Sequence, residues 1–172
     1  MPNWCANRLK VSGNAEAMTK FREWLGDEPL TLQRIKPMPD ELIETAAWGA
    51  DEMTEAKQEL VNRYGAHNWY EWRIKNWGTK WDVADIEQSE ENGALVFAYQ
   101  TAWAPPLDAI RELAVKFPDL TIYTTYHEYG CEFTGEMTIS GDDFHEKYYD
   151  SQSTRQEYIE YVKENWEGHT DF

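Results

Sequence analysis

The chain has 172 residues, among them nine tryptophans and ten tyrosines, and a formal net charge of −16 from 32 acidic and 16 basic residues. So many aromatic residues can close a sizeable core, which argues against intrinsic disorder. The charge argues against direct binding to nucleic acid or to an anionic membrane, because both require a basic surface. It leaves a basic host protein as a candidate partner.

The cysteines and the N-terminal segment bear on the compartment. Cys5 and Cys131 have no metal-type spacing, so we expect reduced thiols and no cofactor. The N-terminal segment lacks the apolar stretch of a signal peptide. No apolar run approaches the ~20 residues of a membrane-spanning helix. These features predict a soluble, cytoplasmic protein.

Periodicity, capping residues and turn signals predict the secondary structure in chain order. In the first half we predict a strand at 4–11, helices at 15–25 and 51–64, a short strand at 30–35 and helical turns at 68–76. In the second half we predict strands at 83–90, 94–103, 120–129 and 131–139, with helices at 105–117 and 154–167.

The order of these elements predicts the fold class. Without the segment at about 27–81, the order is β-α-β-β-α-β, which is the ferredoxin-like motif. We therefore predict an α+β fold, with a ferredoxin-like antiparallel sheet, an inserted helical segment and a C-terminal helix. The predicted domain covers 1–140, and residues 141–172 form an acidic helical extension packed on it.

Several short motifs carry a family resemblance. They are MPNWCANRLKVSG, KPMPDEL, NWGTKWD, TAWAPP and HEYGCEFTGEM, and they lie within residues 1–140. With these motifs the chain resembles the YubB-like ferredoxin-like family, uncharacterised proteins carried mostly by bacteriophages and plasmids. The resemblance implies a ferredoxin-like fold and a mobile-element setting. It implies no catalytic residues.

The segment KNWGTKWD, residues 75–82, places two tryptophans around a glycine. We interpret it mainly as a packed corner, in which indole rings hold the insertion on the sheet. The alternative is a small-ligand pocket, since such pockets are mostly apolar with a few polar groups. Its candidate residues are Trp4, Asn76, Trp77, Lys80, Trp81, Asp82 and Trp103.

Negative charge is concentrated in two segments of the chain. Residues 131–172 have a net charge of −8 and residues 40–59 a net charge of −6. The candidate partner-binding residues are Glu157, Glu160, Glu164 and Glu167 on the last helix, with Asp51, Glu55 and Glu59 on the helix at 51–64. If the last helix aligns with the helix at 51–64 or with the predicted solvated face of Glu132 and Glu136, the protein imitates a phosphate track. This predicts a non-catalytic protein-binding module that acts as a DNA mimic.

Catalysis and metal binding have weaker support. The sequence contains no nucleophile elbow and no phosphate-binding loop, which disfavours an enzyme. Cys5 with His127 is a conceivable nucleophile pair, but no local pattern supports it. Asp142, Asp143, His145 and Glu146 resemble a metal-binding cluster, but they lack the spacing of an EF-hand.

RNA binding is a further alternative. Phe97, Tyr99 and Trp103 alternate along one predicted strand, and some ferredoxin-like proteins stack bases on such rings. The net charge argues against this function.

Overall fold

A computed structural model describes residues 3–47 and 53–166 of the protein. The strands are β1 (Trp4–Gly13), β2 (Ala84–Glu91), β3 (Ala94–Ala102), β4 (Leu120–Glu128), β5 (Phe133–Ser140) and β6 (Asp143–Asp150). The helices are α1 (Ala15–Leu25), α2 (Leu32–Ile35), α3 (Asp40–Ile43), α4 (Glu55–Tyr64), α5 (Trp69–Trp77), α6 (Leu107–Lys116) and α7 (Arg155–Asn165).

The strands of the described residues form one antiparallel sheet in the order β2-β3-β1-β4-β5-β6. The first four neighbours reproduce the ferredoxin-like arrangement, in which α1 and α6 connect strands that lie apart in the sheet. The predicted α+β fold with a ferredoxin-like sheet and a C-terminal helix is therefore confirmed.

One face of the sheet, the core face, holds most of the buried apolar side chains. Leu9 of β1 and Phe97 of β3 are fully buried there, together with Phe21 of α1 and Ile110 of α6. Side chains alternate along a strand, so Arg8, Lys10 and the residues beside them lie on the second face. The inserted helices α2 to α5 join the core face, where α2 and α5 contact α6.

The predicted strand at 30–35 is wrong, because this segment contains the helical turn α2. The hydroxyl of Thr31 accepts a hydrogen bond from the backbone N–H of Arg34 at 3.0 Å. The carboxylate of Asp82, fifty residues away in the chain, accepts from the N–H of Leu32 at 2.6 Å. A local pattern of apolar residues cannot reveal a cap supplied from so far away.

Residues 143–150 form β6, a strand absent from the predicted elements. It pairs with β5 in continuous register, from Phe133 with Asp150 to Ser140 with Asp143. Most of its side chains are exposed, so it has no apolar alternation to mark it as a strand. The two predicted acidic helices, at 51–64 and 154–167, correspond to α4 and α7. Asp51 and Glu167 lie outside the described residues.

Across 3–47 and 53–166, no helix combines the length and the apolar composition required to cross a bilayer.

Candidate functional site

The inner part of the tryptophan corner is packed. Trp77 is 0% exposed, and its indole N–H donates to the carbonyl of Lys36 at 2.9 Å. The ring of Trp72, also buried, meets Trp77 edge-to-face with 5.8 Å between centroids. Trp77 thereby fastens α5 to the connection after α2, which agrees with the packed-corner interpretation.

The polar residues of the corner are bonded to backbone groups. Asp82 accepts from the N–H groups of Leu32, Gln33 and Val83, at 2.6, 3.1 and 2.8 Å. The amide of Asn76 donates to the carbonyl of Trp72 at 2.9 Å. The bonds to Leu32 and Gln33 satisfy N–H groups of the first turn of α2, which have no acceptor within that helix. Asn76, Trp77 and Asp82 thus have structural partners already.

The structure explains why the residue between Trp77 and Trp81 at position 78 is a glycine. Gly78 ends α5 with φ of +86°, a left-handed conformation that glycine adopts at little cost. A Cβ at this position would lie 3.2 Å from the carbonyl oxygen of Pro105. The corner therefore needs glycine both for its backbone angle and for its close approach to the start of α6.

The outer part of the corner reaches solvent. Trp4 is 41% exposed, and its ring lies 6.1 Å from that of Trp81. The ammonium of Lys80 lies 4.7 Å from the Trp81 centroid, which is a cation–π contact. The structure brings Trp4, Lys80 and Trp81 together at the surface.

Trp103 stands at the end of β3 with an exposed ring. It is 50% exposed and has φ of +72°, an unfavourable backbone angle for a bulky residue. Its N–H donates to the carbonyl of Asn3 at 2.9 Å, which holds the N-terminal residue of the described chain against this bend.

The two acidic helices lie on opposite faces of the sheet. Leu60 and Tyr64 of α4 pack against the core-face cluster, so exposed Glu55 and Glu59 belong to that side of the molecule. On the second face, α7 packs over β5 and β6. The described candidate residues therefore do not form one continuous acidic track.

The prediction that this face of β5 is solvated is wrong, because α7 covers it. Thr134 is buried, and Glu136 accepts hydrogen bonds from the hydroxyls of Tyr123 at 2.8 Å and Tyr161 at 3.1 Å. The ammonium of Lys147 lies 2.7 Å from the same carboxylate. Burial alone would raise the pKa of Glu136, but the bonds from Lys147, Tyr123 and Tyr161 outweigh it and lower that pKa. Glu136 is therefore a partly buried carboxylate whose charge is paired with that of Lys147.

His127 lies beneath α7 on the second face and is 1% exposed. Its ring contacts Tyr129 with 4.3 Å between centroids, and Tyr158 and Trp166 at 5.9 and 5.8 Å. Neither ring nitrogen has a hydrogen-bond partner within the described chain. Burial lowers the pKa of His127, because the charged ring would lose its hydration there.

The nucleophile pair of Cys5 and His127 is not formed. Cys5 pairs with Glu128 and Ala6 with His127 in the sheet, so the thiol and the imidazole point to opposite faces. Burial, followed by the charge of Glu128, raises the pKa of the Cys5 thiol. A thiol held protonated in this way is a poor nucleophile.

The structure also shows where the candidate residues for metal binding and for RNA binding lie. His145 lies across from Thr138 on the second face, whereas Glu146 pairs with Arg111 of α6 at 2.8 Å on the other side. Residues 3–47 and 53–166 contain no group of three or more His, Cys, Asp or Glu arranged to hold a metal ion. Phe97 and Tyr99 are buried on the core face, so the prediction that they stack RNA bases is wrong.

The second face also contains a groove that the sequence analysis did not predict. It has a volume of about 400 Å³ and lies between the β2 edge and the end of α7. Arg8 and Lys10 of β1 line one side of it, and Trp166 forms part of its wall. The alternation of Arg8 and Lys10 with buried Leu9 and Val11 was the available signal, but it does not reveal a concave surface.

Two comparisons with known proteins identify relatives. A family model described as the ferredoxin-like domain in Api92-like protein matches residues 76–171. The crystal structure of protein api92 from Yersinia pseudotuberculosis is similar, with a TM-score of 0.56 and 10% sequence identity. The match covers 87% of this chain and 98% of that chain. At such low identity the likeness shows the fold alone.

No curated protein matches the chain significantly. The family match runs past residue 140 and so includes β6 and α7, which the sequence analysis assigns to an extension. It spans more than half of the 172 residues, and the chain therefore belongs to the family defined by the ferredoxin-like domain of Api92-like proteins.

Proposed function

We propose that the protein is a non-catalytic binding module of a mobile element, and that the outer face of α7 contacts a basic host protein. The observation that supports this is a stripe of exposed carboxylates, Glu157, Glu160 and Glu164, that form no ion pair with any described residue. The resemblance to the YubB-like family supports the mobile-element setting.

The helical spacing separates this stripe from the buried side of α7. Residues three and four apart share one side of a helix, so the three glutamates line up. Tyr158 and Tyr161 are partly buried on the sheet side. Arg155 stands at helical spacing from Ile159 and Val162, and thus away from the stripe, whereas exposed Lys163, three residues after Glu160, flanks it. A basic surface approaching from solvent would meet three carboxylates and one flanking ammonium group.

DNA mimicry is the finer form of this proposal. From Glu157 to Glu164 the stripe measures about 10 Å at 1.5 Å per residue. Duplex DNA presents about six charges over that length, against three in the stripe. Glu132 adds an exposed carboxylate near the start of α7, where Ser151 donates to it at 2.7 Å. The stripe is an acidic contact surface with about half the charge density of DNA.

The test is binding to purified basic DNA-processing proteins, with a triple variant Glu157→Gln, Glu160→Gln and Glu164→Gln. The matched control neutralises three exposed acids near the end of α1, Glu23→Gln, Asp27→Asn and Glu28→Gln. We expect the α7 variant to lose binding at least tenfold, since charge-assisted contacts contribute about 1 kcal/mol or more each. The control should retain it.

Binding should also weaken with rising salt and be displaced by duplex DNA if the partner's DNA groove is occupied. Equal losses in both triple variants would indicate a general effect of net charge, and the α7 surface would then be the wrong assignment.

Small-ligand binding at the outer tryptophan corner is a second candidate function. The exposed ring of Trp4 beside Trp81 and Lys80 favours it, because a planar ligand can stack on such rings. Intrinsic fluorescence with a metabolite panel tests this function, with Trp81→Leu compared with Trp24→Leu on α1, whose ring packs on Phe21 and Phe117. A panel without shifts, or shifts kept in Trp81→Leu, contradicts it.

A further inference from the structure

The groove on the second face results from short side chains between long ones. Along β3, Val96 and Ala98 point into it, while β1 contributes Arg8 and Lys10 on one side. On the other side β2 contributes Glu87 and Ser89, which pair with Ala98 and Val96. The floor thus sinks along β3, and its volume of about 400 Å³ is within the range of small-molecule sites.

The charges in the groove are unevenly paired. Glu91 is the shared partner of both cations, at 2.5 Å from the Arg8 guanidinium and 3.8 Å from the Lys10 ammonium. All three side chains are partly open to solvent, where such pairs exchange easily with other ions. Arg8 and Lys10 retain donors that one carboxylate cannot satisfy.

The groove suits an anion better than the charge of the whole chain implies. Its charged lining consists of Arg8, Lys10, Glu87 and Glu91, which sum to zero in a chain with a net charge of −16. Beyond these charges the lining is apolar or neutral: Val96 and Trp166 are nearly buried, and Ala98 is partly exposed. An apolar body and a single anionic group are the complementary chemistry.

We infer that this groove binds a small organic anion, whose carboxylate or phosphate pairs with Arg8 and Lys10 and whose apolar body lies on Val96 and Ala98. This site is separate from the outer face of α7 and from the tryptophan corner. The anion competes with Glu91 for the two cations, and this competition makes the inference testable in both directions.

The probes are benzoate, phenyl phosphate and the neutral analogue benzamide, titrated against the protein in ¹H–¹⁵N NMR spectra. We expect both anions to shift the amides of Val96, Ala98 and Thr125, and benzamide to leave them in place. The stronger of the two anions identifies the preferred head group. Equal shifts with benzamide, or none with any probe up to about 10 mM, would overturn the inference.

Two variants and two matched controls test the role of the charges. Arg8→Gln should weaken anion binding about tenfold, and Glu91→Gln should tighten it several-fold, since it frees both cations. The control pair is Arg22→Gln and Glu90→Gln, which breaks a similar exposed ion pair of 3.2 Å on the core-face side of β2. A Glu91→Gln variant that binds no more tightly than the unchanged protein contradicts the competition, whatever Arg8→Gln does.

Discussion

At the scale of single residues, Asp82 shows how a polar side chain in an aromatic segment serves the fold. Its carboxylate accepts three backbone hydrogen bonds, two of them from the first turn of α2. A ligand would need the same oxygen atoms, so Asp82 cannot bind one without uncapping α2. The role of a polar residue in a motif thus depends on which groups of the folded chain already bond to it.

Replacing Asp82 with alanine should destabilise the protein by about 2 kcal/mol, because a helix cap is lost and N–H groups are left unpaired. Asp82→Asn should cost less, since one oxygen can still accept. The measurement is the midpoint of urea unfolding at unchanged slope. Asp27→Ala, at an exposed site, provides the control of equal charge. A midpoint for Asp82→Ala that matches the control would show that the cap contributes nothing.

At the scale of elements, α7 turns the second face of the sheet from a solvated surface into a partly buried one. Tyr161 reaches the carboxylate of Glu136, while Tyr158 and Trp166 cover His127. Of the alternating polar residues of β5, Glu136 thus bonds to the helix, while the hydroxyl of Thr134 donates to the carbonyl of Tyr126 on β4. An uncharged His127 is part of this packing, because its ring has no hydrogen-bond partner in the described chain.

The docking of α7 should weaken as the pH falls below the ordinary histidine pKa of about 6.5. The pKa of His127 is lowered in the folded protein, so the unfolded or undocked state binds the proton more readily. Stability is then complete above about pH 6.5 and is lost as the pH drops toward the folded pKa. A tenfold difference in proton affinity corresponds to about 1.4 kcal/mol.

Hydrogen exchange of the α7 amides between about pH 7.5 and 5 measures this loss, after correction for intrinsic rates. The charged neighbour Glu128 favours protonation of His127 and acts against the burial. Glu136 has a lowered pKa and stays ionised in this range, so it does not contribute. His127→Phe should remove the dependence, and α7 protection that stays constant in the unchanged protein would refute it.

At the scale of the whole molecule, the sheet separates the surfaces on which function depends. The acids of α4 lie on the core-face side, and those of α7 lie on the opposite side. A rigid partner bound to the outer face of α7 is therefore expected to be indifferent to Glu55→Gln and Glu59→Gln. The acids of α4 and those of α7 thus form two separate patches, and each patch is screened within about 10 Å at ordinary salt.

The sequence by itself determined the order and type of most helices and strands, and through them the fold class. Alternation along β1 and β3, the caps Asn14 and Gly26 around α1, and the Asn92-Gly93 turn are local signals, and each element obeyed them. Local backbone and side-chain preferences act over a few residues. They can therefore be predicted from a single sequence.

Only the tertiary structure decided which side chains meet. It brought the carboxylate of Asp82 to the first turn of α2 and covered β5 with α7. It also separated Cys5 from His127 and formed a groove where short β3 side chains lie between β1 and β2. Such contacts join residues far apart in the chain, and their geometry depends on strand register and on the position of a helix over the sheet. Spacing along the sequence predicts neither the register nor the helix position, because the packing of the whole core sets both.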